Sequence, residues 1–118
     1  MAAEQQLEYE KLEVYQVAIQ FFALSAQLLE SFPKGHSALA DQLKRASLSI
    51  PLNVAEGAGR MARGEKERFY GIARASAMEC GAILDACQVL KVVDDSFIKQ
   101  GKASLIRIVS MLTKLCRS

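Results

Sequence analysis

A line of polar residues at helical spacing is the part of the sequence whose residue types best suit chemistry. The line recurs at steps of three and four and contains Gln42, Arg45, Ser49, Asn53, Glu56 and Arg60. Ser49 and Asn53 have short side chains with weak helix propensity, and they flank the helix-breaking Pro51. Such a conflict between propensity and pattern is typical of functional or specially packed sites. Two interpretations stay open: the line faces water or a partner, or Ser49 and Asn53 satisfy backbone groups freed by Pro51 while Arg45 or Arg60 pairs with Glu56.

The next predicted helix can extend this line through Glu79, with Arg74 five residues before it and Ser76 between them. A charged network between helices fixes packing register more often than it performs catalysis. Ser49 has no identifiable base, and the only histidine, His36, stands in a predicted loop with no nucleophile or carboxylate pair grouped with it. The sequence therefore predicts no enzymatic activity and no catalytic residue.

Metal and cofactor sites are not predicted either. Cys80 and Cys87 are seven residues apart on one helical face, which is core spacing, and the CxxC and HxxxH patterns of metal ligands do not occur. No phosphate-binding loop of the G-x-x-x-x-G-K-[ST] type occurs, and the glycines at 57 and 59 do not follow a strand.

The charges are arranged in blocks, although the net charge is only +2. Residues 1–43 and 75–95 are acidic, whereas residues 44–74 and 96–118 are basic. We predict a nucleic-acid-binding surface formed by Lys44, Arg45, Arg60, Arg63, Lys66, Arg68 and Arg74, with Lys102, Arg107, Lys114 and Arg117 on the last helix. Such side chains neutralise phosphates without reading bases, which gives salt-sensitive binding of low sequence specificity. The alternative is a solvated, partly salt-bridged surface, and the two basic segments combine only if the fold brings them together.

Four amphipathic segments must position these side chains. A chain of 118 residues with 7 Gly and 2 Pro is one domain, residues 1–118, and has too few turn residues for an all-β fold. Apolar periodicity predicts helices at about 11–32, 37–59, 65–91 and 96–116. Pro51 predicts a kink or a local widening in the second of them. Short connections imply antiparallel neighbours, so the predicted fold is an all-α, antiparallel up-down-up-down four-helix bundle.

Apolar stripes predict the buried face of each helix. In the first helix the stripe is Leu12, Tyr15, Ile19, Phe22, Ala26 and Leu29, and in the second it is Leu39, Leu43, Ala46, Ile50 and Val54. In the third it is Phe69, Ile72, Ser76, Cys80, Ile83, Cys87 and Leu90, and in the fourth it is Ile98, Leu105, Ile108, Leu112 and Leu115.

The first helix carries a second apolar stripe, formed by Val14, Ala18, Phe21 and Leu28. One monomeric bundle does not require apolar residues around so much of a helix, so this stripe predicts an oligomer interface. The alternative is that the stripe covers more of a broad core.

The sequence predicts a soluble, cytoplasmic protein without a membrane contact. Its 3 cysteines cannot all pair within the chain, and no secretory leader opens the sequence. The longest apolar stretch, around residues 21–29, is interrupted by polar residues and is shorter than the roughly 20 residues that cross a bilayer.

A family resemblance covers nearly the whole chain. Its core is the string Ser-Ile-Pro-Leu-Asn-Val-Ala-Glu-Gly at 49–57, preceded by Gln42, Leu43, Arg45 and Ala46 and followed by Gly59 and Arg60. Leu-Glu-Val-Tyr-Gln-x-Ala at 12–18, Phe-Pro at 32–33 and Phe-Tyr-x-x-Ala-Arg-x-Ser-x-x-Glu at 69–79 complete it. The chain resembles the 23S rRNA intervening sequence proteins, a bacterial family, although Tyr15 stands where the family often has Trp and Ala75 where it often has Gly.

The resemblance implies a four-helix bundle but no established biochemical role. A similar fold occurs in the accessory proteins of diversity-generating retroelements, which resemble rings of five subunits with a basic surface for nucleic acid and a reverse-transcriptase partner. By this analogy we expect a homo-oligomer, with a pentamer as the leading assembly. The predicted function is that of a non-enzymatic oligomeric bundle that binds RNA or DNA backbones as an accessory to a nucleoprotein complex. The alternative is a protein-interaction scaffold that binds no nucleic acid.

Overall fold

Four long α-helices account for most of residues 5–117, which are the residues described in the computed structural model. A short 3-10 helix at Glu8–Lys11 precedes them, and no β-strand occurs within this range. The helices are α1 (Glu13–Glu30), α2 (Ser37–Gly59), α3 (Arg63–Leu90) and α4 (Asp95–Arg117). The bounds of α2 are those predicted, and the other helices begin and end within two residues of their predicted limits.

The loops end the helices through backbone geometry that the sequence indicates. Pro33 and Gly35 follow α1, and Gly35 adopts a φ of 95° that favours glycine. At the end of α3, Lys91 adopts the left-handed conformation with a φ of 56°, and the Val92 N–H donates to the Cys87 carbonyl. Within α2, the helix continues through Pro51 as α-helix, so the predicted local widening is absent from this segment.

Contacts between neighbouring helices show that α2 and α3, and also α3 and α4, run antiparallel. Tyr70, near the start of α3, packs against Gly57, near the end of α2, whereas Ser76, further along α3, contacts Ser49, earlier in α2. In α3 and α4 the same reversal holds, because Asp85 contacts Lys102 and Arg74 contacts Thr113. The first helix packs against both α2 and α4. The predicted four-helix bundle is confirmed.

The core draws side chains from all four helices. Its largest fully buried members include Phe21, Leu43, Ile50, Leu84, Ile108 and Leu112. The predicted stripes of α2 and α4 form this core, apart from Leu39 and Leu115, which are half-buried at its edge. None of the helices described is long and apolar enough to span a bilayer.

The buried face of α1 is not the one predicted. Val14, Ala18 and Phe21, assigned to an oligomer interface, are buried inside the single chain, and Leu28 packs half-buried against the core. In the stripe predicted to be core, Ile19 and Ala26 are exposed. The physical reason is that α1 contacts α2 and α4 together, which turns the Val14 face inward. The structure therefore corrects the predicted interface and supports the alternative of a broad core.

The start of α3 is rotated by one residue from its predicted face. Tyr70 and Ala73 are buried, whereas Phe69 is half-exposed and Ile72 is 38% exposed. A Cβ on Gly57 would lie 2.7 Å from Cε1 of Tyr70, so the missing side chain of this glycine makes room for the ring. From Ser76 to Cys87 the predicted face is buried, and Leu90 is exposed at the helix end.

Candidate functional site

The polar line lies along the seam between α2 and α3, where its central residues join the two helices. The hydroxyls of Ser49 and Ser76 are 2.8 Å apart and share a hydrogen bond. Asn53 donates from Nδ2 to the Ser49 hydroxyl at 3.0 Å and to the Ser49 carbonyl at 2.8 Å. Ser76 is buried, so this bond satisfies a hydroxyl that would otherwise be costly to place there.

These side chains do not repair the backbone at Pro51. The carbonyl that loses its helical partner there is that of Ser47, four residues earlier, whereas Asn53 donates to the carbonyl of Ser49. The Ser47 hydroxyl donates to the Lys44 carbonyl. The interpretation that Ser49 and Asn53 satisfy groups freed by Pro51 is therefore wrong. Ser49 instead connects α2 with α3, and Asn53 bonds to Ser49 within α2.

A cleft of about 350 Å³ opens beside this junction, lined by Gln42, Arg45, Ala46, Ser49, Ser76 and Glu79. Arg45 enters it from α2 and Glu79 from α3. Within residues 5–117, neither side chain has an ion-pair or hydrogen-bond partner. Arg74 does not join the cleft, because its Nε donates to Thr113 Oγ1 of α4 at 2.8 Å. The cleft thus contains two unpaired side chains of opposite charge, beside the hydroxyls of Ser49 and Ser76, which are hydrogen-bonded to each other.

The end of the polar line belongs to a separate cluster at the junction of α2 and α3. The Arg60 guanidinium lies 2.9 Å from a Glu56 carboxylate oxygen and 3.4 Å from one of Glu65. It also stacks over the Phe69 ring, 4.7 Å from its centroid. The predicted pairing of Arg60 with Glu56 is confirmed.

Two further basic residues at this junction already have partners. Arg63 Nε is 2.8 Å from Glu67 Oε1. Lys66 Nζ donates to the carbonyl oxygens of Gly57 and Ala58 at 3.2 and 3.1 Å, which satisfies two acceptors at the end of α2. Arg68 lies over the Phe69 ring, 5.2 Å from its centroid, is exposed and forms no ion pair within the described chain.

The predicted basic residues therefore do not form one surface. Arg60, Arg63, Lys66 and Arg68 lie together, but Arg45 lines the seam cleft and Arg74 binds α4. Lys44 lies against α1, beside Phe22 and Leu29. In this respect the predicted seven-residue surface is corrected: the fold divides it among three sides of the bundle.

The end of α4 places two of the basic residues predicted on the last helix, Lys114 and Arg117, near the start of α3. Cys116 Sγ is 3.9 Å from the Glu67 carbonyl oxygen, so the last turn of α4 packs beside the first turns of α3. Lys114 and Arg117 are exposed there, and neither forms an ion pair with the residues described. The signal was the run 96–118, which contains five basic residues and no acidic one. We call this end of the bundle, with Arg63, Arg68, Lys114 and Arg117, the basic end.

Cys80 and Cys87 are poorly placed for nucleophilic chemistry. Burial raises the pKa of the Cys80 thiol to about 12, and the nearby charge of Glu79 acts in the same direction. Burial also raises the pKa of Cys87. A thiol with a raised pKa holds little of the reactive thiolate at neutral pH. Across residues 5–117, no three His, Cys, Asp or Glu side chains gather as metal ligands.

Comparison with protein families identifies one family that matches this chain. The family described as 23S rRNA-intervening sequence protein matches residues 10–114, which include the seam, its cleft and most of the basic end. The comparison with curated proteins finds no match. Because the match covers far more than half of the chain, the protein belongs to the 23S rRNA-intervening sequence protein family.

Proposed function

We propose that the chain is a non-enzymatic, self-associating bundle protein that binds RNA or DNA backbones through its basic end, as an accessory to a nucleoprotein complex. The observation that carries this proposal is the packing of the last turn of α4 beside the first turns of α3. This packing brings the basic start of α3 and the basic end of α4 to the same end of the bundle, which supports a common surface there.

The free cations of this end suit phosphate contacts. Arg68, Lys114 and Arg117 are exposed, and in the described structure no carboxylate lies within ion-pair distance of them. Binding a phosphate therefore breaks no existing salt bridge. Contacts of this kind need no enclosed pocket, and their strength falls with salt because bound counterions are released from the nucleic acid.

A triple substitution tests this surface. Arg68→Gln, Lys114→Gln and Arg117→Gln remove three charges without leaving a carboxylate unpaired. Lys34→Gln, Lys91→Gln and Lys99→Gln form the matched control, since they remove the same charge at the opposite end, in or near the α1–α2 and α3–α4 connections. Fluorescence anisotropy with an RNA hairpin and a DNA duplex at low salt measures the affinity of each.

We expect the triple variant to lose at least tenfold in affinity, on the order of a few tenths to one kcal/mol for each contact. The control variant keeps the affinity of the wild type to within about threefold, because it changes net charge alone. Equal losses in both variants would show that binding follows net charge and not this end. No binding by the wild type would overturn the proposal.

A second candidate function, a scaffold for protein contacts, is favoured by an apolar groove between α3 and α4. The groove has a volume of about 450 Å³, and its lining includes Met78, Ala82, Ile106 and Val109. Ile106 is 66% exposed and Met78 is 51% exposed. Exposed apolar side chains grouped in this way mark protein contacts.

The five-subunit ring suggested by the retroelement accessory proteins stays part of the proposal. A closed ring needs two different patches on each chain that fit each other. The groove can supply one of them. Ile106→Asp places a charge in the groove without touching the core, and we expect it to reduce the mass measured by light scattering. An unchanged mass would remove the groove from the assembly.

We also propose a bacterial cytoplasmic location, supported by the family and by the three free cysteines. Fluorescence microscopy of a tagged chain in a bacterial cell tests it, with a diffuse or nucleoid-associated signal expected and a peripheral signal against it.

A further inference from the structure

We infer that the cleft beside the Ser49–Ser76 bond binds a free α-amino acid, whose carboxylate pairs with Arg45 and whose ammonium group pairs with Glu79. The cleft is the one of about 350 Å³ between α2 and α3, and we call it the seam cleft. The inference goes beyond the proposed function, because it concerns a small molecule and a part of the bundle away from the basic end.

The seam cleft has buried small side chains at its base and is closed at one end. Ala46 and Ser76 line it and are only 4% and 8% exposed. The Ser49–Ser76 hydrogen bond joins the two helices at the closed end. Gln42 lies seven residues before Ser49, which is two turns or about 10 Å along α2. Small-molecule sites begin at about 300 Å³, so a cleft of this size suits a ligand as small as one amino acid.

Arg45 and Glu79 lie on opposite sides of the seam cleft at about the same level. Arg45 precedes Ser49 by four residues and Glu79 follows Ser76 by three, so in antiparallel helices both lie one turn from the serine pair in the same direction. Within residues 5–117, the two side chains form no ion pair with each other or with another group. Both charges are therefore available to a ligand that lies between them.

The two charges together select a ligand that carries both signs. A simple anion would be attracted by Arg45 but repelled by Glu79, and a simple cation would meet the reverse arrangement. An α-amino acid carries its carboxylate and its ammonium group on the same carbon atom. The planar guanidinium of Arg45 can donate two parallel hydrogen bonds to the carboxylate, while the ammonium group donates to the carboxylate of Glu79. A zwitterion of this kind satisfies both side chains at once.

A spare hydroxyl hydrogen favours an amino acid with a polar side chain. Two hydroxyls carry two hydrogens, and the Ser49–Ser76 bond uses one of them. Asn53 is the donor in its bond to the Ser49 hydroxyl, so that bond uses neither. Among the residues described, no acceptor takes the second hydrogen, and the Gln42 amide is likewise unbonded. The seam cleft thus offers hydrogen bonds to a hydroxyl or amide side chain, such as that of serine, asparagine or glutamine.

Titration with free and blocked amino acids tests the inference. The probes are L-serine, L-asparagine and L-glutamine. Each is compared with its N-acetyl derivative, which has no ammonium group, and with its α-amide, which has no carboxylate. Two-dimensional NMR spectra of the full 118-residue chain give the dissociation constant and show which backbone amides respond.

Arg45→Gln and Glu79→Gln each remove one charge from the seam cleft. Both side chains are exposed and unpaired in the described structure, and glutamine is a good helix former, so we expect each variant to fold. Circular dichroism checks this. Lys44→Gln and Glu30→Gln are the matched controls, because they remove the same charges from a separate cleft between α1 and α2.

We expect the best of the three probes to bind the wild type with a dissociation constant of about 1 mM or lower. Its N-acetyl and α-amide forms bind at least about tenfold more weakly, because each leaves one charged side chain without a partner. In Arg45→Gln the free amino acid and its α-amide bind with similar affinity, since the partner of the carboxylate is lost. In Glu79→Gln the same holds for the free amino acid and its N-acetyl form. Both control variants bind like the wild type.

Three results would overturn the inference. The first is the absence of any shift in the wild type with all three probes at a tenfold excess over the expected dissociation constant. The second is equal binding of the free and blocked forms to the wild type, which would show that the two charges do not recognise the ligand. The third is unchanged binding in both Arg45→Gln and Glu79→Gln, which would place the ligand elsewhere. Nucleic-acid binding by the basic end involves other residues and depends on none of these results.

Discussion

Replacing Gly57 by alanine is expected to destabilise the fold, although alanine is the better helix former. A Cβ at this position would lie 2.7 and 2.8 Å from Cε1 and Cδ1 of Tyr70 and 3.3 Å from the Cβ of Phe69. The Tyr70 ring is buried and cannot swing into solvent without opening the α2–α3 contact. Overpacking of this kind costs about 1–3 kcal/mol, whereas glycine-to-alanine exchange inside a helix gains about 0.5–1 kcal/mol. The net expectation is a loss of about 1 kcal/mol, or roughly 4 °C in Tm.

Two glycines of α3 provide controls for helix propensity. Gly71 and Gly81 lie inside the helix, and a Cβ on either would meet no atom within 4 Å. Gly71→Ala and Gly81→Ala are therefore expected to raise the free energy of unfolding by about 0.5–1 kcal/mol each. Urea denaturation followed by circular dichroism gives the change in the free energy of unfolding for all three variants. We expect this change to be negative for Gly57→Ala and positive for the two controls.

A rise in stability for Gly57→Ala, similar to that of the two controls, would contradict the expected clash between the added Cβ and the Tyr70 ring. It would mean that Tyr70 does not pack against Gly57 and that the rotation of the first turns of α3 has another cause. A second test uses Gly57→Ala combined with Tyr70→Leu. Removing the ring should relieve the clash, so the alanine should cost less in this background than in the wild type.

Three further predictions follow from local geometry. Lys91→Gly should raise the free energy of unfolding by about 0.5–1 kcal/mol, because the left-handed backbone at this position strains any residue with a Cβ; a loss in urea denaturation would count against that strain. Lys66→Met should lower the free energy of unfolding by about 1–2 kcal/mol, because two carbonyls at the end of α2 lose a charged hydrogen-bond donor. Lys99→Met serves as the exposed control. The pKa of Cys80, raised by burial from 9.0 to about 12, means that folding favours the protonated thiol. The contribution of the protonated thiol to the free energy of unfolding is therefore complete below pH 9. It declines as pH rises from there towards 12, by up to about 1.4 kcal/mol per pH unit. Thermal melts at pH 8 and 10 should show a smaller decline in Tm between the two pH values for Cys80→Ala than for the wild type. Equal declines would show that Cys80 does not cause this pH dependence.

Local pattern was enough to predict the helices but not every buried face. The bounds of α2 follow from the loop residues Pro33 and Gly35 and from the glycines at 57 and 59, which act over short distances. In α1 two apolar stripes compete, and only the positions of α2 and α4 decide that Phe21 and not Ile19 is buried. The rotation at Tyr70 depends in the same way on the missing side chain of Gly57 in another helix.

Local pattern likewise predicted only part of the candidate site. Spacing within one helix predicted the Arg60–Glu56 pair, and the polar character of Ser49 and Asn53 identified a specially packed position. The partner of Ser49 lies 27 residues later, and the partner carbonyls of Lys66 belong to the preceding helix. Such contacts depend on tertiary packing, so the sequence did not show which basic residues are free. For the same reason the sequence did not separate Lys114 and Arg117 from Lys102 and Arg107, which form ion pairs with Asp85 and Glu13.

The salt dependence of nucleic-acid binding shows directly whether the basic end contacts phosphates. The logarithm of the binding constant is measured against the logarithm of salt concentration, for the wild type and for Arg68→Gln/Lys114→Gln/Arg117→Gln on one DNA duplex. Three phosphate contacts on B-form DNA contribute about 2.7 to the slope, so the wild type should lose about 40-fold in affinity from those contacts between 50 and 200 mM salt. We expect the variant to have a slope shallower by about 2–3. Identical slopes, or no binding by the wild type at the lowest salt, would contradict it.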